Sequence, residues 1–118
     1  METTTSTIPD YINVARAQIC DTLNKAADLI ETNGWHQGGY YPGWNDTLDA
    51  PNWRQAGEVI NEQGLACCVL GAIAACGGGQ READVLAEVV RGEPDVWNDH
   101  PARTQSEVVA ALREAAQS

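Results

Sequence analysis

The sequence predicts an all-α protein, a single compact bundle of four to five helices around a buried central helix at about residues 65–76. Three observations support this fold class. Residues 65–76 form an uncharged apolar run. Most of the remaining chain repeats apolar residues at steps of three and four, as amphipathic helices do. No stretch alternates apolar and polar residues as a half-buried strand does.

The apolar run 65–76 predicts a helix that is buried on every side, because it has no polar face. Such a helix would rise about 18 Å at about 1.5 Å per residue. A membrane span needs about 20 residues, so the run is too short to cross a bilayer. Its alanines and Gly71 would allow neighbouring helices to approach closely.

The first helix is predicted to begin after Thr7, which can cap it, with Pro9 in the first turn and Asp10 completing a capping box. The pair Asn33-Gly34 predicts its end. One apolar face runs along its whole length, formed by Ile12, Ala15, Ile19, Leu23, Ala26 and Ile30.

Three further helices are predicted. A short one follows Pro51, has Trp53, Ala56 and Ile60 on one face and ends at Gly64, although Gly57 weakens it. Another covers residues 80–91 and ends before Gly92. The last follows a capping box formed by Thr104 and Glu107, with an apolar stripe of Val108, Ala111, Leu112 and Ala115.

Composition limits the domain organisation and the partners. The 118 residues, 43% of them hydrophobic, suit one domain, with residues 1–7 as a flexible tail and 8–118 as the helical domain. Seventeen acidic and seven basic residues give a net charge of −10, which disfavours nucleic acid and anionic membrane surfaces. No secretory signal is recognisable, so we expect a cytoplasmic protein. The oligomeric state stays open.

The cysteines and histidines do not predict a metal or cofactor. The four cysteines lack the paired spacing of zinc sites. Cys68 with His36 or His100 and Asp99 has the composition of a nucleophilic set. The apolar neighbours of Cys68 and the negative net charge disfavour a reactive thiolate. An enzymatic function is therefore disfavoured, and it stays open as an alternative.

An aromatic, glycine-rich loop follows the first helix. Its candidate binding residues are Trp35, His36, Gln37, Tyr40, Tyr41 and Trp44. The aromatic rings are suited to stacking on a partner. They are equally suited to capping one end of the bundle, since Trp and Tyr tolerate a half-wet position.

The residues before the last helix form a second candidate site: Trp97, Asn98, Asp99 and Arg103. As structural residues, Asn98 and Asp99 would bond turn amides, Arg103 would pair with Asp99, and Trp97 would anchor the turn to the core. That explanation leaves His100 without a role. As functional residues, they would line a pocket with the aromatic loop for a small polar ligand.

Three motifs together resemble an uncharacterised family of small domains from actinobacteria and their bacteriophages. They are Gly-Trp-His-Gln-Gly-Gly-Tyr at 34–40, Cys-Val-Leu-Gly-Ala at 68–72 and Trp-Asn-Asp-His-Pro-Ala-Arg-Thr at 97–104. The resemblance implies one helical domain and a bacterial or phage setting. It brings no function and no catalytic residue. Residues 44–63 depart from the family pattern by being longer and rich in tryptophan.

Two hypotheses follow for the function. The first is a small acidic, non-catalytic accessory protein, of possible phage origin, that binds another protein through Trp35, Tyr40, Tyr41 and Trp44. The alternative is a small-ligand binding domain or enzyme with a pocket between the aromatic loop and residues 97–103.

Overall fold

The computed structural model describes residues 10–43 and 53–117, with side chains in the first helix from Val14 onward. The predictions for the tail at residues 1–7, for the Thr7 cap and for Trp44 lie outside the described residues.

The described residues form six helices and no strand, which confirms the all-α fold class. One helix, α5, was not predicted, because five residues are too few to show a periodic pattern. The helices are α1 (Asp10–Asn33), α2 (Trp53–Gln63), α3 (Val69–Ala75), α4 (Gln80–Val90), α5 (Pro94–Asn98) and α6 (Gln105–Ala115).

The predicted helix ends agree with the local chemistry. Gly34 has a left-handed φ of 102°, and its N–H donates to the carbonyl of Ile30 at 2.8 Å to close α1. At the start of α6, Thr104 Oγ1 accepts from the N–H of Glu107 at 3.3 Å. Glu107 Oε1 in turn accepts from the N–H of Thr104 at 2.9 Å, so the predicted capping box is confirmed.

The central helix α3 is shorter than predicted, since it begins at Val69 rather than at residue 65. Before it, Cys68 is extended and Cys67 pairs with Trp35 in an isolated parallel bridge. Cys67 N–H donates to Gly34 O at 3.2 Å, and Cys67 O accepts from His36 N–H at 3.1 Å. The helix does not extend to Cys67, because the backbone N–H and carbonyl of Cys67 are hydrogen-bonded to the loop after α1.

The core lies where α1, α2, α3, α4 and α6 meet. Its fully buried large side chains come from all five helices and include Leu23, Ile30, Ile60, Ile73, Leu86 and Leu112. α2 packs on α3 at very short range, since a Cβ atom at Gly57 would lie 2.5 Å from the carbonyl oxygen of Ala74. In the described ranges, no helix has both the length and the apolar character that a bilayer span requires.

Candidate functional site

The two motifs that the sequence singled out meet in space, and Asn98 is the residue that joins them. We call residues 34–43 the Trp35 loop and residues 97–104 the Trp97 segment. Asn98 is the last residue of α5 and is completely buried, with 0% of its surface exposed. A buried amide is costly unless it is hydrogen-bonded, so its partners determine its effect on stability.

All four hydrogen-bonding positions of the Asn98 amide are filled. Its Oδ1 accepts from Trp35 Nε1 at 2.8 Å and from the backbone N–H of Val69 at 3.1 Å. Its Nδ2 donates to the carbonyl of His36 at 3.1 Å and to Asp99 Oδ1 at 3.0 Å. An asparagine amide has two donors and two acceptor lone pairs. Asn98 therefore ties the Trp35 loop and the start of α3 to α5.

Gln37 adds a second link between the loop and the segment. Its Nε2 donates to the carbonyl of Asn98 at 3.0 Å and to that of His100 at 2.9 Å. The N–H of Gly38 donates to Asp99 Oδ1 at 3.0 Å. The side-chain amide of Gln37 thus holds the backbone of the Trp97 segment against the Trp35 loop.

His100 has a place in the turn that the sequence did not reveal. Its Nδ1 accepts from the N–H of Ala102 at 3.1 Å. Its carbonyl accepts from the N–H of Arg103 at 2.9 Å. The imidazole is exposed, so its contribution is to hold the turn that leads into α6.

The predicted ion pair between Arg103 and Asp99 is wrong. The Arg103 guanidinium lies 4.1 Å from the centre of the Trp97 ring, its Nε donates to the Trp97 carbonyl at 3.0 Å, and its nearest carboxylate is Glu107 at 3.4 Å. Asp99 instead accepts from the N–H of Gly38 in the Trp35 loop and from the side-chain amide of its neighbour Asn98. Glu107 therefore forms the ion pair that was expected of Asp99, in addition to its place in the capping box.

The aromatic side chains of the loop are largely turned into the protein. Tyr40 is only 8% exposed, and its ring centre lies 6.3 Å from that of Trp53. Burial raises the pKa of Tyr40 to about 12, with a smaller effect from neighbouring acidic groups. Trp35 and Tyr41 are half-buried and pack on the main core cluster. A direct role of these rings in binding a partner stays a prediction.

The cysteines beside this site are not set up as nucleophiles. Burial raises the pKa of Cys67 to about 12 and that of Cys68 to about 11. A catalytic cysteine needs the opposite shift. Cys68 has a structural contact instead, since its sulfur accepts from the N–H of Gly71 at 3.3 Å and caps α3.

One feature of the surface escaped the sequence analysis. Between α1 and the end of α3 lies an open groove of about 230 Å³, lined by Lys25, Asp28, Leu29, Thr32 and Cys76. It contains no residue of the two motifs. Among the residues in ranges 10–43 and 53–117, no three His, Cys, Asp or Glu side chains are grouped as metal ligands.

The fold and the site define a class. The protein is a small all-α protein in which the polar side chains of Asn98 and Gln37 form hydrogen bonds within the protein. Comparison with known families gives a more particular assignment. A family model described as a family of unknown function, DUF6197, matches residues 15–118. The chain therefore belongs to the DUF6197 family. Searches of curated proteins and of solved structures found no match.

Proposed function

We propose that this protein is a small, non-catalytic accessory protein that binds a basic surface of another protein. The observation that carries the proposal is an excess of exposed carboxylates. Among the described residues, five exposed acidic side chains have no ion-pair or hydrogen-bond partner: Glu62, Glu88, Glu93, Asp95 and Glu114. With a net charge of −10, the molecule attracts cationic surfaces and repels phosphate backbones.

The state of the two motifs supports binding over catalysis. The polar groups of Asn98, Gln37 and Asp99 are bonded to one another or to nearby backbone. The thiols of Cys67 and Cys68 are buried, and burial raises the pKa of each. A surface function needs neither an open cleft nor a reactive group.

We propose that the protein acts in actinobacteria or in cells infected by their phages. The support is the order of the three motifs in residues 34–104, which resemble a family with that setting. This setting decides which lysate is used in the test.

The test is affinity capture with the full chain as bait in an actinobacterial lysate, at about 50, 150 and 500 mM salt. Raising the salt shortens the Debye length from above about 10 Å to a few ångströms. We therefore expect a stoichiometric protein partner at low salt that is lost at high salt. An unrelated folded protein of equal net charge serves as the control bait, since it detects simple ion exchange.

Two results would contradict the proposal. One is a set of captured proteins identical to that on the control bait. The other is a bait that returns alone but heavier than its chain mass. The second result would favour the small-ligand alternative, and the contact between the Trp35 loop and the Trp97 segment would then be examined for opening.

A further inference from the structure

His100 lies where the Trp97 segment turns toward α6 and meets the Trp35 loop. Its Nδ1 accepts from the N–H of Ala102 at 3.1 Å. Its backbone carbonyl accepts from Gln37 Nε2 at 2.9 Å and from the N–H of Arg103 at 2.9 Å. The side chain thus holds the turn, and the backbone holds the loop. We propose that His100 is a pH-sensitive switch, which fastens the loop to the turn while its imidazole is neutral and loosens it when the imidazole is protonated.

The hydrogen bond between His100 and Ala102 exists in only one protonation state of the ring. A neutral imidazole has one nitrogen that donates and one that accepts, whereas an imidazolium has two donors. Because Nδ1 is the acceptor here, the neutral ring carries its proton on Nε2. Protonation of Nδ1 removes the lone pair and sets two N–H donors against each other. Histidine is the side chain that ordinarily changes charge between about pH 5 and pH 8.

Loss of this bond acts on the link between the loop and the turn. The turn is otherwise closed by the Arg103 N–H on the His100 carbonyl. That carbonyl is also the acceptor of Gln37, so a turn that changes shape displaces the acceptor of the loop. Gln37 keeps its second bond, to the carbonyl of Asn98, and Asn98 itself is buried. Protonation therefore loosens the exposed side of the contact and leaves the buried network in place.

The charged groups of the neighbouring helices do not replace this bond. Asp99 and, in α5, Asp95 are exposed carboxylates that favour a positive ring, but exposed charges contribute little, and Asp99 Oδ1 already accepts two N–H groups. Arg103 opposes a positive ring, and its ion pair with Glu107 in α6 spans 3.4 Å. The hydrogen bond at Nδ1 is the interaction that protonation turns from attraction to repulsion.

The Trp35 loop supplies a matched comparison. The loop groups that bond the turn, Gln37 Nε2 and the N–H of Gly38, carry no charge. His36 lies beside them and is the only other histidine of the chain. Its bond to the Trp97 segment uses the backbone carbonyl, which accepts from Asn98 Nδ2 at 3.1 Å. Protonation of the His36 ring therefore leaves that bond intact.

The experiment measures amide hydrogen exchange by NMR in the full chain at about pH 7.5 and about pH 5.5, on either side of the range in which histidine ordinarily titrates. Each rate is divided by the rate of an unfolded peptide at the same pH. We expect the corrected rates at Ala102 and Arg103 to rise about fivefold at the lower pH, which is the loss of one hydrogen bond of about 1 kcal/mol. The N–H of Val69, bonded to Asn98 Oδ1, is expected to exchange equally at both.

Two variants assign the effect to the ring. In His100→Asn the side-chain oxygen can accept from the N–H two residues ahead, as in an Asx turn, and it does not titrate. We expect this variant to keep slow exchange at Ala102 at both pH values. His36→Asn is expected to retain the pH dependence of the natural chain. Circular dichroism verifies that both variants are folded.

The natural chain alone can overturn the proposal, since equal corrected rates at Ala102 at both pH values would show that protonation does not loosen the turn. A pH dependence that persists in His100→Asn, or disappears in His36→Asn, would assign the effect to another group. Faster exchange at Val69 in acid would show that the whole contact opens rather than its exposed side. None of these measurements involves a partner, so the proposed function stands or falls separately.

Discussion

Asn98 shows at the scale of one residue how a buried polar group can be stabilising. Replacing it by alanine would leave Trp35 Nε1, the N–H of Val69 and the carbonyl of His36 without their partner. Each buried group without a partner costs about 1–3 kcal/mol. We expect Asn98→Ala to lower the free energy of unfolding by about 2–4 kcal/mol, measured by urea denaturation.

The control for this prediction is Asn61→Ala. Asn61 is exposed and donates to the carbonyl of Ala75 at 2.7 Å. Water replaces a partner lost at the surface, so we expect a loss below about 1 kcal/mol. If both variants lowered the free energy of unfolding by similar amounts, the four buried hydrogen bonds of Asn98 would stabilise the protein no more than one exposed hydrogen bond.

At the scale of elements, the packing of α2 on α3 depends on Gly57. A Cβ atom there would lie 2.5 Å from the carbonyl oxygen of Ala74, which belongs to the backbone and cannot rotate away. Alanine favours a helix by about 1 kcal/mol over glycine, but overpacking costs about 1–3 kcal/mol and more where backbone must move. We expect Gly57→Ala to destabilise the protein by about 1–3 kcal/mol in thermal or urea unfolding.

Gly92→Ala is the matched control, because no atom lies within 4 Å of the position that its Cβ would take. We expect a change within about 1 kcal/mol, since this substitution acts mainly on the unfolded chain. If Gly57→Ala proved as mild as Gly92→Ala, the close approach of α2 to α3 would not constrain the fold.

At the scale of the whole molecule, stability is expected to fall above about pH 9. Burial raises the pKa of Cys67 from 9.0 to about 12 and that of Cys68 from 9.0 to about 11. The unfolded chain therefore loses these protons first, and at alkaline pH deprotonation favours unfolding. Burial acts in the same direction on Tyr40, whose pKa rises from 10.0 to about 12. Urea midpoints between pH 7 and 10.5 measure the decline.

The double variant Cys67→Ala/Cys68→Ser tests the cause. It removes both thiols and keeps an oxygen acceptor at the cap of α3, where serine is well suited. We expect a shallower decline above pH 9 than in the natural chain. If stability declined as steeply above pH 9 in this variant, titratable groups other than Cys67 and Cys68 would be its cause.

The sequence predicted those parts of the fold that depend on neighbours a few residues away. The Thr104–Glu107 box acts over one turn of α6, and Gly34 closes α1 through Ile30. The end of α2 is equally local, since Gly64 takes a left-handed φ of 62°. Such signals can be recognised in one stretch of chain because both partners lie within it.

The sequence named both sets of residues of the candidate site, and the small-ligand hypothesis predicted that they approach each other, but it could not predict which side chains meet. Trp35 and Asn98 are 63 positions apart along the chain, and no local pattern specifies which donor meets which acceptor. Whether Arg103 pairs with Asp99 or with Glu107 likewise depends on the loop that supplies donors to Asp99. α5 escaped prediction because its five residues are too short for periodicity.

By itself, the sequence determined the helical class, the burial of residues 67–69 and 71–73 within the apolar run at 65–76, the capping box of α6 and the acidic charge. These properties follow from composition and from contacts within a helical turn. The tertiary structure alone decided that α3 begins at Val69 and that Asn98 joins the Trp35 loop to α5. The reason is that the backbone groups of Cys67 and Cys68 can complete their hydrogen bonds either in a helix or with the loop, and only the packed chain brings the loop within reach.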